Sequence, residues 1–183
     1  EAVLYLHESE IVDIYEKEVA KISDQVFSTY LFYLCFFKEK IFCFSTILDD
    51  FFPDKSEKIK DALYPCLNSF DFDMISKEIK GDVKEIWDKY IKDNDTKNID
   101  ELINTFWFLL QSDVLVYIRD RIVAMAEIPC ELASINFEES SGSLSSLPIL
   151  ETLSLFRQAS DESTFKAALE LAFNYVEKNP SAS

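Results

Sequence analysis

The chain has 183 residues, enough for one large or two small domains, and 48% of them are hydrophobic, enough for a core. Its 34 acidic against 18 basic residues give a net charge of −16, which disfavours binding to nucleic acid phosphate or to an anionic membrane surface. With only two glycines, few tight turns of positive φ can form, so helices joined by polar loops are expected rather than hairpin-built sheets.

Charge is uneven along the chain. Residues 1–54 hold 11 acids and 4 bases, residues 55–92 hold 8 of each, and residues 93–183 hold 15 and 6. Only the middle stretch is neutral. Cys35, Cys43, Cys66 and Cys130 have apolar neighbours and form no C-x-x-C pair. They read as free thiols of a reducing, cytoplasmic protein. Glu1 to Glu18 is too acidic for a signal peptide. With no initiator Met, Glu1 reads as a point inside a longer protein.

Glu1 to Lys21 carries a weak apolar stripe and predicts one or two helical turns. The strongest element follows, over Ser23 to Phe37. Val26 to Phe37 are twelve uncharged residues in a row, four of them Phe and two Tyr. No polar face of any width remains, so the stretch predicts a helix buried on most sides, capped by Ser23 with Asp24 in its first turn. It is short of the roughly 20 apolar residues a membrane span needs. Ser45 is placed to cap a short helix to Phe51, ended by Pro53, and Ser56 another over Glu57 to Leu67 with Pro65 near its end. Three helices at this spacing, followed by Phe72 to Asp82 with a turn at Gly81, predict a winged helix with a small wing.

Glu85 to Lys92 predicts a helix, and Asp93 to Lys97 a polar break. Asn98 and Glu101 suggest a capping box opening a long helix from Ile99 to about Met125, with Gln111 to Asp113 as the place where it would divide. Asn136 to Ser146 has the composition of a loop. A helix to about Gln158 and another over Ser163 to Lys178, capped by Asp161, form a helical hairpin. The expected fold is therefore mostly α: a winged-helix-like domain over 1–92, then a helical bundle or hairpin domain over 93–183 with a loop at about 136–146.

Catalytic and cofactor motifs fail on their chemistry. A P-loop needs glycines and a Lys-Ser/Thr pair around the phosphates, yet Gly81 is followed by Asp and Gly142 by Ser. His7 is the single histidine, which leaves neither a zinc set nor a nucleophile–base pair. Asp93 to Asn98 begins like a calcium loop but has Lys97 at a ligand position and Asn98 where the turn Gly belongs. Asp49-Asp50 and Asp71-x-Asp73 read as helix-end charges. Lys55, Lys58, Lys60, Lys77, Lys80 and Lys84 are balanced by acids and read as a solvated face. No catalytic, cofactor or metal residue is assigned in this chain.

Four stretches, in order, are Ser23-Asp-Gln-Val-Phe-Ser-Thr-Tyr-Leu-Phe-Tyr33, Phe106-Trp-Phe-Leu-Leu-Gln-Ser-Asp-Val-Leu-Val-Tyr-Ile118, Leu150-Glu-Thr-Leu-Ser-Leu-Phe156 and Phe165 to Pro180. Together they resemble the region that follows the nucleotide-binding domain in bacterial STAND-type, NLR-like P-loop NTPases, a group that includes antiviral sensors. The resemblance implies a non-catalytic coupling module, with ATP and Mg²⁺ bound only upstream in the parent protein. Its partners would be the nucleotide-binding domain and sensor region of that parent, which could oligomerise. The histidine that often reaches nucleotide from a STAND winged helix has no counterpart, since His7 precedes that region. Interface candidates are Asp24 and Gln25, at the start of the aromatic helix, and Lys58 and Lys80, in the neutral stretch. The alternative is a stand-alone acidic helical module for protein–protein interaction.

Overall fold

The structure is a computed structural model, and it describes residues 6–9, 11–15, 19–22, 24–125, 149–159 and 161–179. Among the described residues it is mostly α-helical with one two-stranded sheet. The chain divides into two units, Glu1–Asp82 and Val83–Ser183. The division falls earlier than the 92/93 boundary expected from the polar break, and it lies inside a helix.

In the first unit, β1 (Val12–Tyr15) and β2 (Val19–Ile22) pair antiparallel, with Val12 opposite Ile22 and Tyr15 opposite Val19. One or two helical turns were expected over Glu1 to Lys21; residues 6–8 are helical, but 12–15 and 19–22 are strands. Both strands are rich in the β-branched residues that suit a pleated surface, and Val12 is buried. The scarcity of glycine did not prevent this antiparallel pairing. His7 meets the Val12 carbonyl oxygen through Nδ1 at 2.8 Å.

The aromatic stretch forms α1 (Gln25–Tyr33), continued by a π-helical turn, Leu34–Lys38. Asp24 caps α1 by accepting the Phe27 N–H at 2.6 Å; Ser23, the expected cap, lies outside the described residues. Helix α2 is Phe44–Phe51, with Cys43 rather than Ser45 at its N-cap. Helix α3 is Ser56–Ser69, with Lys55 at its N-cap. Pro65 sits inside α3, where it has no N–H to give the carbonyl of Asp61, yet the helix runs on to Ser69. Helix α1 packs on α3 and touches β2. Phe37, Phe44, Leu48, Phe52, Ile59, Leu63 and Cys66 are buried, and the Phe37 and Phe44 ring centroids are 6.2 Å apart.

Helix α4, Phe72–Asp93, overturns the expected wing. Asp71 accepts the Met74 N–H at 2.9 Å and starts it. Ile75, Ile79, Val83 and Trp87 recur every four residues and are all buried, a helical period that a wing hairpin could not bury on one side. Gly81 lies within this helix, with no positive φ and nothing within 4 Å of an added Cβ. The winged-helix reading of the first domain is thereby corrected over 72–82.

In the second unit, α5 (Thr96–Phe106) and α6 (Gln111–Ala124) replace the single long helix expected. The chain turns at 107–110, just before the anticipated break, where Trp107, Leu109 and Leu110 are all buried. Asp95, not Asn98, caps α5: it accepts the Asn98 N–H at 3.2 Å and the Asn98 side-chain amide at 2.7 Å. Helix α7 (Ile149–Leu155) runs into a 3₁₀ turn, Phe156–Gln158, and Asp161 then caps α8 (Glu162–Lys178) as expected. Helix α8 packs on both α6 and α7. The expected loop over 136–146 lies outside the described residues.

The core of this unit joins Ile99, Leu102, Ile103, Phe106, Val114, Ile118, Leu153 and Phe156, with Trp107 and Phe156 rings 5.5 Å apart. Asp100 is buried, and its carboxylate stands 3.6 Å from Arg121, whose guanidinium lies over Tyr117. Burial pushes the Tyr117 phenol above its usual range, an effect that the Arg121 charge partly opposes. Lys84 bridges Asp113 at 2.7 Å and Asp88 at 2.9 Å. Lys178 donates to the Ile122 and Val123 carbonyls, so its cation sits at the negative end of α6. The α8 residues Phe165, Leu169 and Phe173, expected to face inward, are exposed; Ala168 is buried in their place.

Candidate protein-interaction face

The candidate face lies on α1, within the first unit. The helix carries no charged residue, yet none of its nine residues is buried. Val26 is 79% exposed, Phe27 38% and Tyr30 43%. Residues 26 and 30 are four apart, so they share one side of the helix, with Phe27 beside them. The expectation of a helix buried on most sides is corrected. A nine-residue helix spans about 14 Å, and α3 together with β2 covers one side of it only. The burial signal belongs instead to the π-helical turn, where Phe37 is enclosed.

What fixes α1 in place is aromatic packing. The Tyr33 ring stacks on Phe70, at the end of α3, and Tyr30 stands 6.5 Å from the same ring. Thr29 donates to the Gln25 carbonyl oxygen at 2.9 Å, which ties down the first turn. This anchoring holds one side of α1 and leaves Val26 and Phe27 exposed, with Tyr30 partly exposed at the edge of the contact with Phe70.

Two adjoining depressions run along the line where α1 meets α3. One, of about 420 Å³, is lined by Gln25, Val26, Thr29, Tyr30, Pro65 and Phe70 among others, and is mainly apolar. The other, of about 980 Å³, includes Lys21, Gln25, Glu57, Lys58, Lys60 and Tyr64. Gln25 and Pro65 line both, so the two adjoin. Lys60 is paired with Glu57 at 2.6 Å and Lys58 with Asp61 at 3.6 Å, which leaves the polar end nearly neutral. Burial, then the charge of Glu57, pushes the Tyr64 phenol up. Burial pushes the Cys66 thiol, in the core, up to about 11, and the thiolate needed for reactivity is correspondingly disfavoured.

Of the four interface candidates, Gln25 and Lys58 come together on this groove. Asp24 stands at the α1 N-terminus, where its carboxylate is engaged as a cap. Lys80 is exposed on α4 and lines neither depression. The aromatic residues of the face were missed because an uncharged run reads as core when only its own sequence is considered. No local signal separates them from core residues, since exposure depends on which neighbour the fold supplies.

Among the described residues, no group of three or more His, Cys, Asp or Glu side chains is placed to hold a metal, and no helix is long and apolar enough to cross a membrane. Comparison with protein families, with curated proteins and with solved structures finds no match to the chain.

Proposed function

We propose that this chain is a non-catalytic, helical protein-interaction module whose docking face is the outer side of α1 with the adjoining groove. The observation that carries the reading is the exposure of Val26, Phe27 and Tyr30 on a charge-free helix that other aromatic residues hold rigid. Aromatic side chains on a supported surface supply contact area at little further loss of side-chain freedom. In a chain of net charge −16, the helix itself presents no acidic side chain beyond Asp24, and the groove acids Glu57 and Asp61 are paired with Lys60 and Lys58.

The partner we propose is the nucleotide-binding core of a bacterial STAND-type parent, with the module transmitting what the sensor region detects, in antiviral defence. The sequence resemblance supports this, as does the position of Gln25 and Lys58 on the same groove. Coupling of this kind requires contacts that differ between two states of the parent. ATP and Mg²⁺ would then be bound by that core and not by this chain. One observation favours the alternative, a stand-alone acidic interaction module: residues 72–82, where the STAND pattern calls for a wing, are helical.

The test is to read the coding sequence upstream of Glu1 and, where it encodes a Walker A motif, to express that segment and measure its binding to the chain. Binding that is lost in Val26→Glu and Tyr30→Glu supports the coupling module. An upstream start codon removes the coupling form and leaves the stand-alone one. Binding unchanged in both variants removes α1 as the docking face.

A further inference from the structure

We draw no further inference here: the strongest candidate, the α1–α3 groove with its apolar end at Tyr30, Pro65 and Phe70 and its polar end at Lys21, Lys58 and Lys60, belongs to the face already described, and nothing in the structure shows what chemistry covers it.

Discussion

The Tyr33 ring lies parallel to that of Phe70, with centroids 3.9 Å apart and planes 9° apart. The contact fastens α1 to the end of α3, and it sits one helical turn beyond the exposed Tyr30. Phe70 is half-buried, so Phe70→Ala should destabilise the chain by about 2 kcal/mol, below the roughly 3–5 kcal/mol of a fully buried ring. A double-mutant cycle with Tyr33→Ala should give a coupling of about 1 kcal/mol. Urea unfolding followed by circular dichroism measures both. A coupling of zero would mean that α1 is held by something other than this stack.

Exposure and burial in the first unit predict opposite responses to substitution. Val26 is 79% exposed, whereas Leu63 of α3 is fully buried. Val26→Asp should change stability by no more than about 0.5 kcal/mol, because it removes no packed atoms and places a carboxylate in the first turn of α1. Leu63→Ala should cost about 2–5 kcal/mol through lost transfer energy and the cavity left behind. Denaturant midpoints of the two variants decide the matter. A large loss in Val26→Asp would show that the outer face of α1 is covered in solution.

Much of the helical framework was legible in the sequence, because period and caps are local properties. The stripe Leu102, Ile103 and Phe106 is buried as its spacing implies, and Asp161 caps the last helix. What could not be read was which apolar residues find a neighbour. Val26, Phe27 and Tyr30 resemble core residues in composition, and their exposure follows from where α3 ends up. The same holds for Phe165, Leu169 and Phe173. Gly81 misled in the opposite direction: glycine marks a turn by propensity, but the four-residue period from Ile75 to Trp87 prevails across it. Gln25 was read from its place at the start of the aromatic helix and Lys58 from the charge-neutral stretch, and both line the groove, whereas the aromatic residues carried no sequence signal distinct from burial.

The Asp161 cap predicts an acid-sensitive helix end. Its Oδ2 accepts from the Ser163 hydroxyl, from the Thr164 N–H at 3.0 Å and from the Thr164 hydroxyl at 2.9 Å. The Ser163 hydroxyl foremost, then Thr164, holds the carboxyl at about 2 against the usual 3.8. A carboxyl depressed in the folded state stabilises it above the unfolded value. That contribution should therefore be complete above about pH 4 and fade as pH falls towards 2. Carboxyl NMR titration should find the Asp161 midpoint at about 2, below the usual 3.8. Asp161→Asn should keep the N-cap while removing this pH dependence from the start of α8. An ordinary Asp161 midpoint would mean that the three donors do not converge on it in solution.

Gly81 offers the sharpest separation between the helix and the wing expected from sequence. In α4 it occupies an exposed, interior helical position, and a methyl group there would meet nothing within 4 Å. Glycine inside a helix is less favourable than alanine by about 0.5–1 kcal/mol, because the unfolded chain loses more freedom on ordering it. Gly81→Ala should therefore stabilise the chain by about that amount and raise the melting temperature by roughly 2 °C. A turn at Gly81 with positive φ would reverse the sign, since a Cβ is strained there. Gly81→Pro provides the second reading. Within a helix it removes a backbone donor and clashes with the preceding turn, at about 3 kcal/mol, so it should lower the melting temperature and the helical circular dichroism together. A stabilised alanine variant beside a destabilised proline variant would establish α4 as one continuous helix. A destabilised alanine variant would return residues 72–82 to a turn and, with it, restore the winged-helix form that the STAND-type reading calls for.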